Sequence, residues 1–185
     1  MTVRDERHRV FFALLPDDGV RSAAGRAAAR LLSALQPGGK PIPAVQYHVT
    51  LRFLGEDSSL NHSLVERAMA AAARIDAVPF DLILDTAFSF PGARPPWVLG
   101  CRRPPESLRE LWQALGSALA GEGVPVDPEG TFVPHLTVLR HAEHPLPACA
   151  IETIQWRVRD IALMHSQPGG ERRYVELGRW PLPAG

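Results

Sequence analysis

Tyr47-His48-Val49-Thr50-Leu51-Arg52-Phe53-Leu54 alternates apolar and polar side chains with the period of two that a β-strand imposes. Tyr47, Val49, Leu51 and Phe53 take one face and read as core; His48, Thr50 and Arg52 take the other. A second stretch, Pro134-His135-Leu136-Thr137-Val138-Leu139-Arg140, repeats the logic 87 positions later, counted from His48 to His135. There Leu136 and Val138 take the core side, and His135 and Thr137 share the opposite one. Each strand presents an imidazole and a hydroxyl from one surface, roughly 7 Å apart along the backbone. A single His-x-Thr is a weak signal, since a solvated polar face explains most short matches. Two copies in similar flanks, each with a clean apolar side, are harder to dismiss.

Outward from these strands, helices and further strands interleave. Val10 to Leu15 reads as a buried strand stopped by Pro16, and Asp17 or Asp18 can cap the helix after it. Its stripe is Val20, Ala24, Ala27, Leu31 and Leu35, with Gly38-Gly39 as the stop. Strand Gln46 to Leu54 precedes a helix that Ser58 or Ser59 can cap, carrying Leu64, Ala68, Ala72 and Ile75. Phe80 to Asp85 and Trp97 to Leu99 read as strands flanking a proline-rich turn. Pro104-Pro105 opens a third helix with Leu108, Leu111, Trp112, Leu115 and Leu119 on one stripe, where Trp112 reads as packing. The strand around Thr131 to Leu139 comes next, then Ile154 to Met164 and Arg173 to Leu177, joined by a turn at Pro168-Gly169-Gly170. Short turns favour antiparallel pairing, which makes the class α+β. No low-complexity linker divides the 185 residues, so they read as one domain of two lobes.

Composition narrows the function classes. Formal net charge is zero, which argues against wrapping long nucleic acid but not against holding one phosphate or a strand end. Nineteen of the twenty basic residues are arginine; the single lysine, Lys40, lies in a turn bracketed by Pro37 and Pro41, without the spacing of a phosphate-binding loop. That scarcity weakens any reading as a ligase with a lysine nucleophile. Cys101 and Cys149 form neither a metal-ligand spacing nor a disulfide framework and read as reduced thiols. The apolar run after the charged N-terminus is too short for a signal peptide or a membrane span, so the expected location is cytoplasmic, with no membrane association.

Paired histidines suit in-line cleavage of a phosphodiester. A neutral imidazole can activate water while a protonated one donates to the departing oxygen, and the unperturbed pKa suits both tasks. Thr50 and Thr137 could hydrogen-bond the non-bridging oxygens, with an arginine supplying positive charge. His8, His62, His141, His144 and His165 make no zinc-like cluster, so no metal or other cofactor is expected. Strand parity puts Arg140 with Leu136 and Val138, away from His135, unless the strand ends or bulges there. Arg52 has the parity of His48 and reads as a solvated rim charge. Tyr47 and Phe53 could serve as base-stacking platforms, but their parity assigns them to the core. Arg172 and Arg173, near the Gly-Gly turn, could grip a strand end or simply form a charged turn.

His48-Val49-Thr50-Leu51-Arg52-Phe53-Leu54-Gly55-Glu56 and Phe132 to Arg140 resemble the two signatures of the two-histidine phosphoesterase superfamily, and within it the RNA 2′,3′-cyclic phosphodiesterases, long called 2′-5′ RNA ligases. Arg9 to Leu14, Trp97 to Gly100 and Tyr174 to Trp180 resemble the family's opening, middle and closing strands, so the likeness covers nearly the whole chain. It implies two pseudo-symmetric lobes, each an antiparallel sheet with helices outside, flanking an active cleft. It also implies hydrolysis of a 2′,3′-cyclic phosphate on an RNA 3′ end to a 2′-phosphate, without metal or an obligate protein partner. By the family's usual assignment His48 is the proton donor and His135 the acceptor, with Thr50, Thr137 and Arg140 on the phosphate. The near-symmetric motifs themselves do not fix that direction. Three alternatives share the cleft: the reverse reaction, 2′-5′ ligation; opening of small cyclic nucleotides; and a silent module that binds RNA ends or nucleotides.

Overall fold

The computed structural model describes residues 7–126, 130–167 and 173–183. β1 (His8–Leu14) carries the apolar run, buried from Val10 through Leu14. Its chain turns into α1 (Asp18–Leu35), where Asp17 caps the first turn by accepting the Val20 amide. Val20, Ala24, Ala27 and Ala28 face inward, whereas Leu35 is exposed. Gln36, in the left-handed conformation, ends the helix before Gly38-Gly39 is reached. Two residues of strand, β2 (Lys40–Pro41), and a 3-10 turn at Ala44–Gln46 lead into β3 (Val49–Asp57). α2 (His62–Ala72) is capped by Asn61, whose side chain accepts the Leu64 amide. Ser58, one of the two serines expected there, instead hydrogen-bonds Asp57 within the preceding turn.

β4 (Phe80–Ser89) and β5 (Trp97–Gly100) form a hairpin, and α3 (Glu106–Gly121) starts directly after Pro105. Burial of Leu108, Leu111, Leu115 and Leu119 on α3 stabilises the fold by about 1.5–3 kcal/mol each. β6 (His135–Arg140) comes next. The stretch expected as one strand from Ile154 to Met164 is two, β7 (Cys149–Val158) and β8 (Asp160–Gln167). They separate because β7 pairs with β4 while β8 pairs with β1, so the chain crosses the molecule at Arg159. The crossing is tied down by the Leu182 amide, which donates to the Arg159 carbonyl. β9 (Arg173–Pro181) completes the sheet beside β8. The expected turn at Pro168-Gly169-Gly170 and the candidate Arg172 lie outside the described residues.

All pairings are antiparallel, in the order β7-β4-β5-β6-β3-β1-β8-β9, with β2 also beside β6. The architecture is α+β, with four strands on each side of a seam. At that seam β3 and β6 share a single register pair, Val49 with Leu136. α1 packs on β7, α3 on β3 and β4, and α2 on α3, so the main core lies between sheet and helices. A smaller cluster, Phe11, Ala13, Ala162 and Met164 with Tyr174 against it, forms separately from that core. Among the described residues no helix is long and apolar enough to cross a membrane.

Candidate functional site

The seam brings the two motifs together. With Val49 opposite Leu136, the antiparallel run puts Thr50 and His135 just to one side of the shared pair and His48 and Thr137 just to the other. Residues flanking one pair of an antiparallel ladder project together from the face opposite to that pair. The four polar side chains therefore form one patch across the junction of the two halves.

Each motif strand then bulges immediately after its threonine. Along β1, Phe12 pairs with Arg52 and Ala13 with Thr50, leaving Leu51 between them; Leu54 is skipped in the same way. An extra residue reverses the facing of the positions beyond it. Arg52 consequently turns to the helix side and is buried at 7% exposure, its guanidinium 3.4 Å from the Trp112 ring centroid and its Nη2 donating to the Trp112 carbonyl at 3.0 Å. Arg52 is thus no rim charge, and Trp112 does more than pack: it stacks on Phe132 and carries the Arg52 cation. Phe53, expected in the core, is 53% exposed and lines the cleft instead. Tyr47, ahead of the bulge, is buried as its parity requires.

On β6 the skipped residue is Val138, since Thr137 pairs with Val98 and Leu139 with Trp97. Val138 and Leu139 are both buried, and Arg140 emerges on the face of His135 and Thr137. It lines a cavity of about 390 Å³ together with His48, Thr50, Phe53, Phe11, Arg9, Glu56, Ser166 and Tyr174. The parity that sets Arg140 apart from His135 fails at this bulge. A second cavity, about 360 Å³, opens at the β7–β8 crossing, where Arg21 pairs with Asp18 and Arg179 with Asp160; neither motif reaches it.

Both imidazoles are oriented by the same device. Nδ1–H of His48 donates to the Gln46 carbonyl at 2.8 Å, and Nδ1–H of His135 to the Val133 carbonyl at 2.7 Å. A carbonyl only accepts, so Nδ1 carries the hydrogen and Nε2 is the nitrogen left to gain or lose a proton. Phe11 and Tyr174 flank the His48 ring at 5.1 and 5.4 Å between centroids, and Phe90 meets the His135 ring edge-on at 4.8 Å. Burial lowers the His48 pKa below the ordinary histidine value; the Gln46 carbonyl opposes this, while the Arg140 and His135 charges add to it. Among the described residues, no group of three or more His, Cys, Asp and Glu side chains could hold a metal ion.

Residues 16–170 match the 2′-5′ RNA ligase superfamily. The chain belongs to the 2′-5′ RNA ligase superfamily. Relatives within it include the RNA 2′,3′-cyclic phosphodiesterase of Escherichia coli (strain K12), 35% identical over 148 residues, covering 78% of this chain and 80% of that protein. The RNA 2′,3′-cyclic phosphodiesterase of Thermus thermophilus is 30% identical over 173 residues, covering 86% of this chain and 82% of the relative. The E. coli LigT structure complexed with 3′-AMP superposes with a TM-score of 0.79 at 30% identity, covering 96% of this chain and 99% of that one.

Beyond the residues the motifs pointed to, the superfamily fold brings Arg9, Phe11, Ser166 and Tyr174 to the same cavity. Arg9 and Phe11 alternate on β1 with Val10 and Phe12, which face the core. Inside an uninterrupted apolar run that alternation has no sequence signature.

Proposed function

We propose that this superfamily member opens 2′,3′-cyclic phosphates at RNA 3′ ends to 2′-phosphates, working as one two-lobed unit across residues 1–185. The observation that carries the reading is the pair of imidazoles on opposite sides of the seam, each with Nδ1 committed to a backbone carbonyl and Nε2 available. In the proposed reaction, water attacks phosphorus and gives its proton to His135 Nε2. The bond from phosphorus to O3′ breaks, and His48 Nε2–H protonates the departing O3′. The products are a 2′-phosphate and a free 3′-hydroxyl, with atoms and charge balanced.

Thr50, Thr137 and Arg140 support this chemistry by offering two hydroxyls and a guanidinium to the non-bridging oxygens, where charge gathers in the transition state. The exposed ring of Phe53 offers the terminal base a stacking surface. Proton donation by His48 has to overcome its lowered pKa. Burial is the larger cause of that lowering; the anionic cyclic phosphate offsets the lesser one, the Arg140 charge, and itself favours a protonated His48. Substrate binding thus moves His48 toward its protonated form. With an RNA 5′-hydroxyl in place of water, the same two groups serve 2′-5′ ligation: His135 takes the 5′-hydroxyl proton and His48 protonates the departing O3′.

The test is a short RNA ending in a 2′,3′-cyclic phosphate, incubated with the protein in EDTA and analysed for its product end. Opening to a 2′-phosphate is expected, lost by about 10²–10⁴-fold in His48→Ala and in His135→Ala. Tight binding of the cyclic end with no turnover would replace this reading with a silent end-binding module.

A further inference from the structure

β3 and β6 share one register pair, and β6 starts only at His135, so the chain leading into it parts from β3. A cavity of about 220 Å³ lies in the parting. Arg52 and Phe53 line it from β3, Gly130 to Phe132 from the opposite segment, and Trp112 from α3. Phe132 stacks on Trp112 with 7° between the ring planes. The Arg52 guanidinium sits 3.4 Å from the Trp112 ring centroid and donates to the Trp112 carbonyl. These contacts hold the aromatic surface in place before any ligand arrives, which lowers the ordering cost of stacking a flat group on it.

Phe53 also lines the cavity that holds His48 and Arg140, so the two cavities meet at its ring. Nucleotide stereochemistry indicates what enters the second one. In a β-D-ribonucleoside the base and C5′ leave one face of the ribose, and the 2′,3′-cyclic phosphate leaves the other. With the cyclic phosphate at the histidines and the base on Phe53, the 5′-phosphodiester and the preceding nucleotide lie on the Phe53 side. A different cavity adjoins the cleft at Glu56, but Glu56 and Asp57 both line it, no Phe, Tyr or Trp does, and its Arg67 donates to the Gly123 carbonyl. Two carboxylates repel a phosphodiester. No carboxylate is among the described residues that line the aromatic cavity. We propose that this cavity receives the base of the penultimate nucleotide, stacked against Phe132 and Trp112, and so makes the enzyme prefer oligonucleotide ends to mononucleotides. This rests on the cyclic-phosphate reading of the cleft.

The experiment compares three substrates: a nucleoside 2′,3′-cyclic phosphate, a dinucleotide ending in the same cyclic phosphate, and that dinucleotide with no base on its 5′ residue. For the wild type, kcat/KM on the full dinucleotide should exceed that on either of the others by about tenfold, mainly through KM, within what stacking one base on an aromatic ring supplies. Phe132→Leu, which keeps an apolar side chain but no ring, should bring the full dinucleotide down to the abasic one and leave the mononucleotide unchanged. Phe132→Tyr should retain the preference. Equal wild-type rates on the full and abasic dinucleotides would overturn the proposal, and that comparison needs no variant to fold. Equal losses on all three substrates in Phe132→Leu, or no loss on any, would overturn it as well. If the wild type opened none of the three, the cyclic-phosphate reading itself would fall. Binding of the same three compounds ending in a 2′-phosphate would then decide the base site: tighter binding of the full dinucleotide, lost in Phe132→Leu, supports it and any other pattern overturns it.

Discussion

Phe53 and Arg140 occupy equivalent places in the two halves of the sheet, each three residues past its threonine and beyond a residue, Leu51 or Val138, that the register with β1 or β5 skips and that turns it into the cleft. The pseudo-symmetry of the motifs thus extends past His-x-Thr and then breaks in chemistry. One half ends in an aromatic face, the other in a guanidinium. A nucleotide with a flat base at one end and an anionic phosphate at the other matches that asymmetry.

Phe53→Ala should lower kcat/KM by about one to two orders of magnitude, since stacking one base on an aromatic ring is worth about 1–3 kcal/mol. Phe53→Tyr should keep most of the rate. The discriminating substrate is a ribose 2′,3′-cyclic phosphate without a base, on which wild type and Phe53→Ala should be equal. A comparable loss there would mean that Phe53 shapes the strand rather than holding the base.

Arg140→Gln should have two separable effects. Loss of the guanidinium from the developing phosphate charge should cost about 10²–10³ in kcat. In the free protein the same change should raise the His48 pKa, because Arg140 is one of the charges that depress it. Histidine titration followed by NMR reads this directly, and adding a nucleoside 2′-phosphate to the wild type should move His48 upward as well. The expected pH profile is a bell, with the limb belonging to His48 falling as pH rises, since the donor must be protonated. An unmoved His48 titration in Arg140→Gln would break the electrostatic link between the two residues.

The motif strands are legible in the sequence because alternation needs only period two, and the patch at the seam rests on His48, Thr50, His135 and Thr137 alone. The misplaced residues all lie downstream of a bulge. Alternation puts Arg52, Phe53 and Arg140 each on the wrong face, because Leu51 and Val138 are apolar residues in apolar strands and nothing marks either as the extra one. Ile154 to Met164 reads as one strand for a similar reason: Arg159 interrupts the hydrophobic pattern no more than an ordinary outward residue does, although the chain changes strand partners there. Lys40 reads as turn because the bracketing prolines conceal a two-residue pairing with β6 that only tertiary structure supplies.

Gly116 on α3 tests the buried Arg52 stack. Alanine is better than glycine in a helix interior by about 1 kcal/mol, so propensity alone favours Gly116→Ala. A methyl there would overlap the Arg52 guanidinium, which its contacts with the Trp112 ring and carbonyl hold in place. Gly116→Ala should therefore destabilise by about 1–2 kcal/mol in the wild-type background, a typical cost of overpacking. In Arg52→Ala the same substitution should be neutral or stabilising. Denaturant unfolding of the four proteins closes the cycle, and additive effects would show that the guanidinium moves aside freely.

His8 and His165 form a second histidine pair away from the seam, with His8 Nδ1 and His165 Nε2 2.8 Å apart and the rings stacked. Only one of the two facing nitrogens can carry a hydrogen in that contact, so full protonation of the pair breaks it. Burial, and then the charge of His8, lowers the His165 pKa. Asp57 faces His8 from β3, and Arg9 pairs with Glu56 alongside. The sign comes from linkage. Well above the ordinary histidine value of about 6.5, His165 is neutral in both folded and unfolded chains and contributes no slope. As pH falls through that value, the unfolded chain takes up a proton that the folded chain resists, and stability declines until the lowered folded-state pKa is passed. Thermal melts from pH 7.5 to 5 should show this decline in the wild type and a flatter one in His165→Gln. Equal slopes would mean that the imidazole pair accepts its second proton without cost, contrary to its burial and geometry.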